Sequence, residues 1–190
     1  MSAPRLVVGV TGGSGMPYAL DLLRTLQALA VETHLVISNG AKMVIPSELK
    51  ETARDLAVLA NVVYKDSDLG AAISSGSYRT QGMVIVPCSS GTLAKVAHGM
   101  TDNLVARAAH VTLKERRPLV LVVREAPYSR PMLKNMLEAD DAGAVILPAS
   151  PGFYHRPQTI DDLVGTISAR ALDLLGIPNS RSQRWRSQDA

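Results

Sequence analysis

A short apolar run, followed at once by a glycine-rich turn and a helical pattern, limits the possible folds of this chain most. Residues 6–10 are apolar apart from Gly9, residues 11–15 read TGGSG, and apolar residues then recur at helical spacing as far as Ala30. An apolar run of this length, bounded by turn residues, is typical of a fully buried parallel strand. The chain therefore opens with a strand, a tight turn and a helix.

The glycine turn favours a bound anion. Gly12, Gly13 and Ser14 let a ligand approach the backbone, and a helix N-terminus offers free N–H groups and a partial positive charge. A tight turn without a ligand is the alternative. The glycine spacing does not match a dinucleotide fingerprint, and the second predicted strand ends in Ser38 and Asn39 rather than in an acidic residue. The sequence thus favours a mononucleotide or another phosphate over NAD.

Strands and helices alternate along the rest of the chain. Apolar runs predict further strands at 33–37, 61–64, 83–86, 119–123 and 144–147, whereas 66–82 is a predicted loop. Helical patterns cover 41–45 (stopped by Pro46), 51–60, 90–98, 103–115, 131–140 and 160–175. We expect one α/β domain over 1–178, with a flavodoxin- or Rossmann-like parallel sheet and helices on both faces, followed by a polar, partly mobile tail at 179–190.

Composition restricts the class of protein. The net charge of +3 is small and the basic residues are dispersed, which argues against nucleic-acid binding. The single cysteine, Cys88, excludes an internal disulfide and a multi-cysteine metal site, and the four histidines lack metal-ligand spacing. No apolar run reaches the length of a membrane span and no signal peptide opens the chain. We therefore expect a cytoplasmic protein without a metal.

The turns that follow the strands should meet at one edge of the sheet, which is where open α/β sheets bind ligands. These turns supply hydroxyls, glycines, one Arg–Glu pair and an aromatic ring: Ser14, Ser38, Ser89, Ser90, Gly91, Thr92, Arg124, Glu125 and Tyr154. The turn at 87–92 repeats the pattern of the first turn, a strand followed by small polar residues and a helix. A crevice for a flat, anionic ligand is the predicted site.

Several side chains have two interpretations at this level. Arg124 could form a fork with a phosphate and Glu125 could move a proton, or the two could form a structural ion pair at a strand end. Glu48 follows a proline-broken helix and is predicted to be a solvated carboxylate. Cys88 is predicted to be a small buried residue rather than a nucleophile, and residues 114–117 a solvated helix end.

Several long segments carry a resemblance to one known family: TGGSG at 11–15, Ser38, PCSSGTLAKVAHG at 87–99, the stretches 102–127 and 135–177, and Arg184-Trp185. In these segments the chain resembles the UbiX-like flavin prenyltransferases, including the branch associated with phenolic-acid decarboxylases. The segments occur in the same order and cover nearly the whole chain, which makes the resemblance far more specific than a single glycine turn.

The resemblance implies an activity. Members of the family join the dimethylallyl group of dimethylallyl phosphate to N5 and C6 of FMN without a metal, and the prenylated FMN serves a UbiD-like decarboxylase. The family's enzymes form homododecamers with active sites at subunit interfaces. These properties come from the resemblance and not from composition or spacing.

The resemblance also implies residue roles. Gly12, Gly13 and Ser14 would hold the flavin, and its ribityl and phosphate groups would contact Ser38, Ser89, Ser90, Gly91, Thr92 and Arg124. The prenyl phosphate would contact Arg107, Lys114, Glu125, Tyr154 and Arg170, some of them donated by neighbouring subunits. Glu48 would be catalytic, with Ser14 and Glu125 taking part in proton movement, in contrast to the solvated Glu48 predicted from spacing alone.

The chain departs from the family at a few positions. Leu69 lies where many relatives have a tryptophan, Val123 replaces a common proline, and Arg130-Pro131 replace apolar and histidine residues. A related class of flavoproteins, which decarboxylates cysteine-containing substrates, has a PAMN-like loop where this chain reads LPASPGFY at 147–154. A non-catalytic flavin carrier in a decarboxylase system is the remaining alternative; retained Glu48, Lys114, Glu125 and Arg170 favour catalysis over it.

Overall fold

The computed structural model describes residues 4–182 and contains one six-stranded sheet in this range. The strands are β1 (Arg5–Val10), β2 (Glu32–Ile37), β3 (Val62–Lys65), β4 (Gly82–Cys88), β5 (Leu119–Val123) and β6 (Ala144–Pro148). Their order is β3-β2-β1-β4-β5-β6, and all neighbours are parallel. The predicted flavodoxin-like α/β fold is confirmed.

Helices cover both faces of the sheet. They are α1 (Met16–Ala28), α2 (Asn39–Glu48), α3 (Ala53–Val58), α4 (Ser90–Ala97), α5 (Leu104–Lys114), α6 (Arg130–Asp141) and α7 (Ile160–Leu174). Alternate strand residues point to opposite faces: Val8 packs with α1, α2, α3 and α7, whereas Val7 packs with α4, α5 and α6. Each strand between two such layers is therefore apolar on both sides, as its sequence predicts.

Pro46 does not end α2, which contradicts the prediction that the helix stops there. It lies inside the helix, two residues before the last one, and the hydrogen bond from Leu49 N to Ile45 O (2.9 Å) still closes the final turn. A proline this near the C-terminal end removes only one N–H from the helix ladder. The extra turn makes Glu48 the last helical residue.

The predicted helix at 51–60 is shorter in the structure. Thr52 caps α3 and forms a reciprocal capping box with Asp55, which fixes the start of the helix at Ala53. The other helix boundaries agree with prediction to within about three residues.

Residues 66–81, which we call the strap, join β3 to β4 without an α-helix. They contain one 3-10 turn (Ala72–Ser74), and Ala71 and Ile73 are buried in the core beneath α5. The strap is the predicted loop, and it occupies the place on this sheet face where a crossover helix would pack.

The C-terminal end of the described range is bonded to two helices. Arg181 pairs with Asp21 (3.0 Å) and Ser182 donates to Asp173 (2.8 Å), so the first part of the predicted tail is bonded to α1 and α7. Arg184 and Trp185 lie outside the described residues. Within 4–182, the helices are too short or too polar to cross a lipid bilayer.

Candidate functional site

The sheet reverses its strand order between β1 and β4, and the carboxyl ends of these two strands form the crevice where such sheets bind ligands. The turns there are in van der Waals contact. A Cβ added to Gly12 would lie 3.1 Å from the backbone of Gly40, and one added to Gly13 would lie 3.4 Å from the backbone of Ser89. The structure thus brings the turns after β1, β2 and β4 together, as predicted.

Thr11 joins two of these turns and was not singled out from the sequence. Its hydroxyl donates to Pro87 O (2.7 Å) and accepts from Ser89 N (2.8 Å), and the residue is almost completely buried. A buried hydroxyl with both partners satisfied fixes the two backbones relative to each other. The only signal in the sequence is that Thr11 is the first polar residue after the apolar strand.

Two of the predicted ligand serines are helix N-caps. Ser38 Oγ accepts from Ala41 N (3.1 Å) at the start of α2, and Ser89 Oγ accepts from Thr92 N (3.3 Å) at the start of α4. Ser89 also donates its hydroxyl proton to Thr92 Oγ1 (3.0 Å), which leaves the Thr92 hydroxyl able to donate to a ligand.

The start of α4 fits an anion. The backbone N–H groups of Ser90 and Gly91 have no acceptor within residues 4–182, as expected of the first turn of a helix. A Cβ placed on Gly91 would meet nothing within 4 Å, so there is open space at this turn. Unused donors facing open space at a helix N-terminus are suited to a phosphate.

The start of α1 is different, and the expectation that it offers free N–H groups to a ligand is wrong. Glu48 Oε2 accepts from Gly15 N and from Met16 N, both at 2.8 Å. The carboxylate therefore takes the place of an anion at this helix, which has no side-chain cap of its own. The prediction from spacing that Glu48 is merely solvated is also wrong.

Glu48 is held in its ionised form. Burial raises the pKa of its carboxyl, but hydrogen bonds from the Ser14 hydroxyl and the Met16 and Gly15 amides, with the charge of Arg124, outweigh this effect. The net result is a pKa below the ordinary value for glutamate. The arrangement provides a fixed carboxylate that can accept a proton.

Arg124 lies beside the same turn. Its Nε donates to Ser14 O (3.2 Å), whereas its two terminal nitrogens have no acceptor within the described range 4–182. Glu125 accepts from Ala126 N (3.1 Å) and forms no ion pair with Arg124 there. The alternative that Arg124 and Glu125 form a structural ion pair is therefore wrong. The free end of the Arg124 guanidinium can bind an anion.

Cys88 is fully buried at the end of β4, and burial raises the pKa of its thiol to about 12. Such a thiol is protonated at neutral pH and is a poor nucleophile. The prediction of a small buried residue is confirmed.

Two further predicted residues have hydrogen-bond partners outside the crevice. Arg107 and Lys114 lie on α5, where Arg107 Nε donates to Ser74 O (3.2 Å) and Lys114 pairs with Glu115 (2.5 Å). Lys114 ends α5 near Pro118, whose carbonyl accepts from Met83 N at the amino edge of the sheet, opposite the crevice.

Tyr154 and Arg170 form a third group. They line one cavity of about 70 Å³ between α7 and the segment after β6. Both side chains are exposed. The predicted site residues therefore fall into three groups: the crevice, the α5 surface under the strap, and the α7 cavity.

The crevice fits a flavin mononucleotide. The serine and threonine hydroxyls, the first turn of α4 and the Arg124 fork supply donors for a ribityl phosphate, and there is open space at Gly91 beside them.

Comparison with known proteins gives consistent results. Residues 1–171 match the family model described as Flavoprotein. The chain is 64% identical over 187 residues to the flavin prenyltransferase UbiX of Deinococcus radiodurans, covering 98% of this chain and 96% of that protein.

Two solved structures have nearly the same backbone. AnUbiX in complex with FMN and dimethylallyl pyrophosphate matches with a TM-score of 0.95 and 43% identity, covering 98% of this chain and 99% of that one. The dodecameric FMN-dependent UbiX-like decarboxylase of Escherichia coli O157:H7 matches with a TM-score of 0.93 and 46% identity, covering 96% and 100%.

Proposed function

The chain belongs to the UbiX-like flavin prenyltransferase family, and on that premise we propose that it joins the dimethylallyl group of dimethylallyl phosphate to N5 and C6 of reduced FMN. The observation that carries the proposal is the pairing, in one crevice, of unused anion donors with an ionised, fixed carboxylate. A phosphate-bearing flavin needs the donors. A reaction that removes protons from the flavin ring needs the base.

Binding of FMN is assigned to the crevice. The ring would lie against the turn formed by Gly12, Gly13 and Ser14. The ribityl phosphate would take donors from the first turn of α4 and from the following side chains: Ser38, Ser89, Ser90, Thr92 and Arg124. Gly91 leaves the space that the phosphate would fill.

The chemistry is shared between the flavin and the protein. Reduced FMN, when bound, supplies the nucleophilic N5 and C6 atoms. One oxygen of Glu48 accepts from two amides, which would hold the carboxylate in place while it takes up a proton and becomes neutral. Ser14, hydrogen-bonded to Glu48, would pass the proton on. Glu125 would donate a proton to the departing phosphate.

The charge of the leaving phosphate needs cations near it. Arg107, Lys114 and Arg170 would supply them, and Tyr154 would add a hydroxyl. Because Lys114 lies at the edge of the sheet opposite the crevice of its own chain, we propose that neighbouring copies donate some of these residues and that the chain assembles as a homododecamer. Size-exclusion chromatography with light scattering would test the assembly; a stable, active monomer would contradict it.

The activity is tested by anaerobic incubation of the purified protein with reduced FMN and dimethylallyl phosphate, followed by mass spectrometry of the released flavin. We expect a flavin heavier by one C5 unit. Flavin that is bound but unchanged would instead favour a carrier subunit, and a protein that binds no flavin would overturn the crevice assignment. Repeating the assay with the pyrophosphate compares the two donors.

We further propose that the product passes to a UbiD-like decarboxylase. Adding the reaction mixture to such an enzyme in its flavin-free form should restore decarboxylation, whereas FMN alone should not. Equal activity with both flavins would contradict the transfer.

A further inference from the structure

Arg117 has no predicted role, and its neighbours at the end of α5 are exposed, yet its own side chain is only 17% exposed. Its guanidinium reaches across to the strap. Nη2 donates to Gly76 O (2.7 Å), and Nη1 donates to Tyr78 O (2.9 Å) and more weakly to Thr80 Oγ1 (3.4 Å). The prediction of a solvated helix end is therefore wrong for this residue.

The strap is bonded along the length of α5. At its start, Asp66 O accepts from Leu104 N (2.7 Å) and Asp66 Oδ1 accepts from Val105 N (3.2 Å), at the first turn of the helix. In its middle, Ser74 O accepts from Arg107 Nε (3.2 Å). Arg117 fixes the last part. Without Arg117, the strap would lose the side-chain bonds that hold residues 76–80 to the region after α5.

This last part of the strap borders the two α5 cations assigned to the prenyl phosphate. A Cβ added to Gly76 would lie closest to Glu115 Oε1 and 2.6 Å from Lys114 Nζ, so this part of the strap lies beside the Lys114–Glu115 ion pair. Arg107 contacts the residue two positions earlier. The hydroxyls of Ser75 and Ser77 are hydrogen-bonded to each other (2.9 Å) between these contacts.

We propose that Arg117 is a positioning residue for prenyl phosphate binding: by fixing residues 76–80 of the strap, it sets the positions of Arg107 and Lys114. This inference rests on the proposed function and adds a residue outside the predicted site. A guanidinium is required because its planar fork donates to two carbonyls at once, whereas a lysine ammonium on a flexible stem cannot reproduce that geometry.

The test compares Arg117→Lys with Arg116→Lys. Both substitutions keep the charge of the helix end, but Arg116 is exposed and its side chain forms no hydrogen bond or ion pair within residues 4–182. Each protein is loaded with oxidised FMN, which lacks the electron pair needed for alkylation, and is titrated with dimethylallyl phosphate by calorimetry. FMN affinity and thermal unfolding are measured on the same samples.

We expect Arg117→Lys to raise the Kd for dimethylallyl phosphate by about tenfold, because a strap without these bonds would no longer hold Arg107 and Lys114 in position. FMN affinity should stay at the wild-type value, because no hydrogen bond within residues 4–182 joins strap residues 76–80 to the crevice turns, and Arg116→Lys should match wild type in every measurement. A lower melting temperature with an unchanged Kd for dimethylallyl phosphate would overturn the inference and make Arg117 merely structural.

Different results would contradict the role of Arg117 and the proposed prenyltransferase activity. A wild-type protein that binds FMN but neither binds dimethylallyl phosphate nor yields prenylated flavin would overturn both. A wild-type protein that yields prenylated flavin, with an Arg117→Lys variant that binds dimethylallyl phosphate as well as wild type, would overturn only the role of Arg117. As a second variant, Arg117→Met removes the charge and should raise the Kd at least as much as Arg117→Lys.

Discussion

Glu48 has both a structural and a chemical role. Its Oε2 accepts from two backbone amides at the start of α1, and these bonds hold both the helix end and the carboxylate in place. Glu48→Gln keeps the shape of the side chain but removes its charge and its ability to accept a proton. We expect turnover to fall by about 10²–10⁴-fold, with FMN affinity within about twofold of wild type, since the phosphate donors are elsewhere. Rates of flavin prenylation and equilibrium flavin titration measure the two quantities.

A control for this variant is Glu51→Gln, which changes a nearby surface glutamate paired with Arg24 (2.7 Å). It should behave as wild type in both measurements. Normal turnover by Glu48→Gln would remove this residue from the mechanism.

Glu48 should also make stability depend on pH. Its pKa in the folded protein is lower than the ordinary value of 4.5, so the carboxylate contributes stability above that value and loses it as the pH falls through the folded pKa. Thermal unfolding of wild type and Glu48→Gln between neutral and acid pH should therefore show a gap that is largest near neutrality and narrows below the ordinary pKa. A gap that stays constant with pH would mean that the charge of Glu48 does not hold α1.

Arg124 lies at the crevice, and its two terminal nitrogens have no acceptor within residues 4–182. Arg124→Ala removes a free fork and the bond to Ser14 O (3.2 Å). We expect the Kd for FMN to rise by about 10–100-fold, the usual effect of losing charge-assisted bonds to a phosphate. Riboflavin, which lacks the phosphate, should bind wild type and Arg124→Ala almost equally. An unchanged FMN Kd, or an equal loss for riboflavin, would contradict the phosphate assignment.

Among the elements, β1 and β4 depend on one another through Thr11, whose hydroxyl bridges their carboxyl ends. Thr11→Val has nearly the same volume but leaves Pro87 O and Ser89 N without their buried partner, which costs about 1–3 kcal/mol. We expect a lower melting temperature together with an FMN Kd raised by about tenfold, because the two turns that hold the flavin lose their common anchor. Thr11→Ser keeps the hydroxyl and should retain flavin affinity. Equal flavin affinity in the valine variant would show that the turns are held by other contacts.

The elements also show what can be read from the sequence. The unbroken apolar runs of β1, β4 and β5 and the polar caps at Ser38 and Ser89 have local signals, so the sheet, most helices and the cap positions were predictable. Pro46 misled because an interior proline removes one N–H from the helix ladder without necessarily ending the helix, and here Leu49 N still bonds to Ile45 O. Thr11, Glu48 and Arg117 had no usable local signal, since each acts through backbone groups 30 or more residues away along the chain.

For the whole molecule, the separation of the predicted residues within one chain bears on how an active site can be assembled. One chain places Glu48 and Arg124 in the crevice but directs Lys114 to the opposite edge of the sheet. If one active site takes its crevice from one copy and its lysine from another, two variants that are inactive for different reasons should restore each other's activity when they assemble together. A site completed within one chain would show no such rescue.

The experiment uses Glu48→Gln and Lys114→Ala, expressed together and purified as mixed oligomers. Each variant alone should be almost inactive. With equal amounts and random assembly, a site receives an intact crevice half the time and an intact lysine half the time, so about a quarter of wild-type activity should return. Mixing the two purified homo-oligomers without subunit exchange is the control and should remain inactive. Co-expression of Glu48→Gln with Arg124→Ala should give no more activity than the Arg124→Ala chains have alone, because both of these changes lie in the same crevice. Absence of rescue in the mixed oligomers would contradict donation of Lys114 by a neighbouring copy, since every site would then contain at least one defect from its own chain.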